Sequence, residues 1–429
     1  MAGVASSEMA LRAKVLDCTT LDGRSGDDGL ANPNHKILRG LTWEHPRGYA
    51  PLIAGVPEYE KQHPEIKIRW DRRSLREFGE APIEQYINAY DLLIIDHPFV
   101  GFAAGHNLFV NFAPHLNKAE KLDFAKDSVG PSWHCYLYGG GVWALPIDSA
   151  AQVASYRSDL LSKFRSDLPE TFDEVIELSK KLSPHGKFII LPACPTDAVS
   201  LVLTLTASLG YPITEESEEF ISKSVGAEVL GRLHHLISLA HPKCVHWNPI
   251  QVYDYMVSTS DAVFCPYAFG YCGYSGLKDS PRLKFANPPG IRPGAAVASL
   301  LGGTGVAVSK QSGLQMEAIG YAKWLVSPEH QRGTYFFSGG QPSSLSAWTD
   351  PRIDAAAGGF FSDTLRTLQN AYVRPRFDGF VKFFEAAGIE INRCLRGNLP
   401  DDDLIAWLNA NYARLHNRIK TKELFPEKL

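Results

Sequence analysis

The chain has 429 residues, 45% of them hydrophobic and 21% charged, enough to bury two cores of ordinary domain size. A formal net charge of -4 and the lack of any Lys/Arg run exclude nucleic acid or an anionic membrane as the main partner, because each selects a basic face. No apolar stretch approaches the roughly 20 residues of a transmembrane helix, so a small molecule or a protein remains as partner.

Residues 1–36 are rich in Ser, Asp, Gly and Asn and too poor in apolar residues to join a core, which predicts an N-terminal extension or edge-covering arm. They hold no apolar run of about 7–15 residues of the kind a secretory signal needs. Seven Cys, an odd number without framework spacing, lean towards a reducing compartment. Two locations stay open: periplasmic or extracellular if a signal peptide was removed, and cytoplasmic otherwise.

From Ile37 the pattern becomes α/β. Ile37–Leu41 reads as a strand, followed by a loop through Tyr49 and then a helix carrying Leu52, Ile53, Val56 and Tyr59. Ile66 and Ile68 alternate with Lys67 and Arg69 as in a half-exposed strand, and Leu92–Ile95 is a buried one. Thr171 and Glu174 form a capping box ahead of Val175, Leu178 and Leu182, and Ser183-Pro184 closes that helix. Short strands at Phe188–Leu191 and Ala262–Phe264 continue the alternation, which implies layered lobes with mostly parallel sheets. The tail is helical, with Leu365 and Leu368 in one segment and Leu404, Trp407, Leu408, Leu415 and Ile419 in another after Asp401-Asp-Asp403.

Open α/β sheets bind ligands beyond the carboxyl ends of their strands. Thr42-Trp-Glu-His-Pro-Arg-Gly-Tyr49 gathers Trp43, Glu44, His45 and Arg47 on the approach to a helix, where Arg47 suits a carboxylate or phosphate; a Glu44–Arg47 pair on a solvated rim is the alternative. Asp96 and His97 follow the buried strand, either to accept from ligand hydroxyls or to cap the next segment. Thr196 and Asp197 follow another strand, as ligand contacts or as the N-cap of a helix near Ala198. His241-Pro-Lys-Cys-Val-His246 lacks a fourth zinc ligand at a standard spacing, and His134-Cys135, read as extended, points its two side chains apart. No metal site, cofactor or catalytic residue is expected.

Five segments in order carry a family pattern: Tyr59–Ile68; Asp91–Asp96; Val142–Asp148 with Ser155–Leu161 and Leu168–Val175; Leu301-Gly-Gly-Thr-Gly-Val-Ala-Val-Ser-Lys310; and Ser327-Pro-Glu-His330 with Ser338-Gly-Gly-Gln-Pro342. Together they resemble the ABC-transporter extracellular solute-binding proteins of family 1, the sugar-type periplasmic binding proteins. The resemblance implies a two-lobe periplasmic-binding-protein-like fold, each lobe a mostly parallel sheet flanked by helices, with hinge crossings between lobes. It places lobe 1 at 37–147 and 305–342 and lobe 2 at 148–304 and 343–429. It implies a monomeric, non-enzymatic receptor for a small polar solute, carbohydrate or related, with ABC permease subunits as partners. A cytosolic enzyme or ligand sensor on the same fold is the alternative.

By the same resemblance, Trp143 and Asp148 flank the first crossing, Tyr267 and Tyr271 supply a stacking aromatic from the second lobe, and Gly303, Thr304 and Gln341 lie at the hinge and cleft rim. Thr304 departs from the pattern, since sugar binders of this type often carry a large aromatic there. Taken with His45, Arg47 and His97, that substitution shifts the expected ligand towards a smaller, more polar or anionic compound.

Overall fold

Strand and helix alternate from the first residues described. In the computed structural model, which describes residues 35–424 apart from 81, 277–282, 293, 295 and 296, β1 (Lys36–Trp43) lies between β2 (Ile66–Arg73) and β3 (Leu92–Asp96) and runs parallel to both. The extension expected over residues 1–36 falls outside these residues except for its last two. Helix α1 (Pro46–Gln62) starts earlier than the sequence suggests: His45 accepts from the Arg47 amide as N-cap and Pro46 is pre-set for the first turn, so Arg47 and Tyr49 are helical and not in a loop.

β4 (Leu137–Tyr138) and β5 (Gly141–Val142) form a small hairpin of their own. The decisive element is β6 (Leu145–Tyr156), 12 residues long and buried through Ser155. Beyond it come β7 (Phe188–Ile189), β8 (Ala262–Phe269), β9 (Lys284–Ala286) and β10 (Leu301–Val308). The first half of β6 pairs antiparallel with β10, and its second half pairs with β8 and β9. β10 in turn pairs antiparallel with β3, and β7 lies parallel on β8. One sheet in the order β2-β1-β3-β10-β6-β8-β7, with β9 on β6, therefore runs through both lobes of the α/β fold. β6 and β10 thus each run from one half of the sheet into the other.

In the second lobe, α2 (Phe172–Leu182) opens on the Thr171/Glu174 capping box. α3 (Pro195–Ser208) is buried along most of its length, as its apolar circumference requires, and packs on α8 (Phe380–Leu395). α5 (Pro249–Ser258) packs on β8, and α4 (Lys223–Leu239) packs on α2 and α3. α6 (Gln315–Leu325) packs on α1, where the Tyr321 ring sits 4.8 Å from that of Tyr59. α7 (Phe360–Gln369) packs on β9, and α9 (Asp401–Leu424) closes against α4 and α8. No helix among the described residues is long and apolar enough to cross a membrane.

The hinge is backbone-tight. Gly303 on β10 has φ +108°, and a Cβ there would lie 2.3 Å from the Asp148 carbonyl oxygen, so no other residue fits without shifting β6. The register between the two strands slips between Thr304 and Gly305, a bulge at the point where the lobes meet. Gln341, buried beside them, accepts from the Cys272 amide at 2.9 Å and donates to the Ser149 and Gly270 carbonyls at 2.7 and 3.2 Å.

Candidate functional site

A cavity of about 560 Å³ opens where the two halves of the sheet meet. Its floor follows from strand register: Thr304 on β10 faces Asp96 on β3 on one side and Asp148 on β6 on the other. Two carboxylates and a hydroxyl thus stand abreast across three adjacent strands. The walls are aromatic, with Trp43, Phe78 and Phe99 from the first lobe and Phe269, Tyr271 and Phe384 from the second.

Both cations in this lining are already engaged. Arg47, in the first turn of α1, binds Asp148 through two parallel bonds, Nε to Oδ2 at 2.7 Å and Nη2 to Oδ1 at 2.5 Å. Its third nitrogen donates to the Gly270 carbonyl at 2.8 Å, and the guanidinium lies 4.5 Å from the Tyr271 ring centre. Burial works against the charge, yet the Asp148 carboxylate outweighs it and holds Arg47 above its ordinary range. Arg374, from the segment between α7 and α8, pairs with Asp96 and lies over the Phe384 ring. Burial would push the Asp96 carboxyl up, but Arg374 and His97 hold it below the usual carboxylate range.

Asp197 is different. It is 4% exposed and stands in the first turn of α3, 3.1 Å from the Cys194 thiol, and burial pushes its carboxyl up to about 7 against the smaller opposing effect of that hydrogen bond. Near neutral pH it can therefore donate as well as accept. The helix N-cap is Cys194, so neither Thr196 nor Asp197 serves as cap, and both line the cavity.

Of the residues singled out from the sequence, the structure brings Trp43, Arg47, Asp96, Asp148, Thr196, Asp197, Tyr271, Gly303 and Thr304 to this cavity. Six others stand apart from the lining. Glu44 is exposed and forms no rim pair with Arg47, whose partner is Asp148. His45 lies behind the wall, stacked on Trp43 and edge-on to Tyr271, and burial followed by the Arg47 charge pushes it down to about 4. His97 is fully buried beside Asp96, 3.1 Å from its Oδ1, and burial pushes it down to about 4 despite that carboxylate. Trp143 donates to the Tyr138 carbonyl within the β4–β5 hairpin. Gln341 serves the hinge.

Tyr267 is 1% exposed and donates to the Pro289 carbonyl, so the second-lobe aromatic at this edge is Phe269, two residues further along β8 at the strand end where ligands are reached. Sequence reasoning missed Phe78, Phe99, Asn248, Arg374, Phe384 and Glu385 as lining residues. Asn248-Pro249 is readable as a helix start, and Asn248 caps α5. Tyr372-Val-Arg-Pro-Arg-Phe377, read only as part of a helical tail, was the remaining signal. His134–Tyr136 is a turn of 3-10 helix, not an extended segment; Cys135 is buried, donates to the Ser132 carbonyl, and is pushed well up by burial.

Residues 42–198 match the family described as bacterial extracellular solute-binding protein. Solved structures share the fold over most of the chain. The maltose-bound MalE3 of T. maritima superposes with a TM-score of 0.76 at 20% identity, covering 89% of this chain and 99% of that one. An ABC-transporter solute-binding protein of Agrobacterium radiobacter K84 in complex with ribitol gives 0.76 at 19% identity, covering 89% and 100%. The GacH receptor of Streptomyces glaucescens, solved unliganded and with acarbose, gives 0.74 at 16% identity, covering 89% and 99%.

Proposed function

We propose, from a chain that residues 42–198 place among the bacterial extracellular solute-binding proteins, that its interlobe cavity captures an uncharged sugar or polyol and delivers it to the permease of an ABC importer. One observation carries the chemistry: the lining is aromatic with carboxylates set among the rings, and both its described cations, Arg47 and Arg374, are already bound to Asp148 and Asp96. Aromatic faces cover the apolar C–H surface of a sugar ring, and carboxylates accept from its hydroxyls. An anion would have to displace a buried carboxylate from its arginine. The expectation that Arg47 holds an anionic group therefore gives way to a structural role for Arg47 and a neutral ligand.

The related structures carry maltose, ribitol and acarbose, which are polyhydroxylated compounds. The ligand contacts in this reading are Trp43, Asp96, Asp148, Thr196, Asp197, Phe269, Tyr271 and Thr304. Lobe 1 comprises 37–147 and 305–342 and lobe 2 comprises 148–304 and 343–429, a division supported by the pairing of Thr304–Val308 with β3 and by the packing of α6 on α1. The protein acts as a monomer outside the cytoplasmic membrane and catalyses no reaction.

The test is a thermal-shift and calorimetric screen of sugars, polyols, carboxylates and phosphorylated compounds. A saturable shift with an uncharged member, weakened in Phe269→Ala and Asp197→Ala, is the expected result. Binding confined to anionic compounds would refute the neutral-ligand reading.

A further inference from the structure

Outside the cavity lining, three helices bring together three different donor atoms. His234 on α4, Cys394 in the last turn of α8 and Asp401 at the start of α9 meet with Nε2 to Oδ1 at 2.9 Å, Sγ to Oδ1 at 3.1 Å and Sγ to Nε2 at 3.8 Å. A tetrahedral zinc ion at ordinary bond lengths separates its sulfur, nitrogen and oxygen ligands by about 3.4–3.6 Å. Each observed separation is therefore within about half an ångström of that geometry. Cys394 is buried while His234 and Asp401 are partly exposed, so the pocket is closed on the protein side and open to solvent on the other. Among the described residues this is the group of His, Cys and acidic side chains whose ligand atoms all converge within 4.8 Å. The zinc-like stretch noted in the sequence does not converge: His241 stacks on Trp247 and accepts from the Lys243 amide, while Cys244 is buried and accepts from the Leu191 amide.

We propose that His234, Cys394 and Asp401 bind a zinc-type divalent cation, with water in the fourth position, stapling the turn between α8 and α9 to α4. The donor set is that of a borderline-soft metal: a thiolate and an imidazole with one carboxylate, unlike the all-oxygen shells of calcium and magnesium. Without metal, the Asp401 oxygen can accept from the thiol S–H and from the imidazole N–H. On binding, the Cys394 proton leaves to solvent as the sulfur–metal bond forms, and His234 presents Nε2 with its own proton on Nδ1. The site is separate from the solute cavity and rests on none of its residues.

The experiment titrates the purified full chain, chelator-treated and reduced, with cobalt(II) as a spectroscopic probe and zinc(II) as competitor. The expected result is one equivalent bound, with a sulfur-to-cobalt charge-transfer band that zinc abolishes. Cys394→Ser should lose the band. Because that thiol is buried, His234→Ala and Asp401→Ala, at partly exposed positions, provide the independent check, each lowering affinity at least tenfold. Zinc should raise the melting temperature of the natural chain and not of His234→Ala. Absence of a saturable equivalent, or a band and affinity unchanged in His234→Ala and Asp401→Ala, overturns the site and leaves the solute-receptor reading untouched.

Discussion

Arg47 and Asp148 are 101 positions apart in sequence and joined by two hydrogen bonds in the cavity wall. Each alone reads as a ligand contact; only the fold reveals that they satisfy each other. Arg47→Met should cost about 3–5 kcal/mol by urea unfolding, since it leaves Asp148 buried and unpaired, whereas Arg47→Met with Asp148→Leu should recover much of the loss. Equal losses in the single and double variants would sink that account. Asp197 carries a pH signature. Its folded value is raised to about 7 from an ordinary 3.8, so the folded chain holds a proton that the unfolded chain has released. Its contribution to stability is present below about pH 4 and lost as pH rises through 7. Buried His45 and His97, held down at about 4, act oppositely and lose stability as pH falls below 6.5. The difference between the natural chain and Asp197→Asn isolates the first effect: the variant should gain relative stability from pH 5 to pH 8 in paired thermal melts. A pH-independent difference would place Asp197 in an ordinary, ionised state.

At the scale of elements, much was legible because the signals were local. The Thr171/Glu174 box, the buried Leu92–Ile95 run and the helix stop at Ser183-Pro184 each declare themselves within a few residues, and each stands in the structure. The cavity was half legible for the same reason: Trp43, Asp96 and Asp197 follow strands, while Phe78, Arg374 and Phe384 arrive from segments whose approach depends on tertiary packing. Tyr267 misled because an aromatic in a strand looks the same whether its face meets a helix or a cleft. The hinge glycine pattern Gly302-Gly303 was visible, but the reason for it, a carbonyl 2.3 Å from where a Cβ would stand, belongs to the paired strand. Gly303→Ala should therefore destabilise by about 1–3 kcal/mol and weaken solute binding, because closure passes through this backbone. Calorimetry that finds affinity and melting temperature both unchanged would remove Gly303 from the hinge.

At the scale of the whole molecule, the aromatic walls come from both lobes, so affinity should report closure. Phe269→Ala and Trp43→Ala, one from each lobe, should each weaken binding of the proposed solute by about 1–3 kcal/mol, measured by calorimetry. Loss from one lobe alone would indicate a ligand held on an open face. The strand order also governs how the chain can be made. β10, at Leu301–Val308, is inserted in the middle of the sheet between β3 and β6, which precede it by roughly two hundred residues or fewer. Until it emerges from the ribosome, β3 and β6 have bare inner edges, and residues 42–198, although they carry the family pattern, lack the strand that joins them. That segment made alone should show no cooperative melt, and refolding of the full chain should be slow, as contacts of long sequence separation dictate. Assembly would thus wait on a late-arriving centrepiece, leaving the nascent chain without a finished sheet for about its first three hundred residues and dependent on chaperones or on passage in an unfolded state.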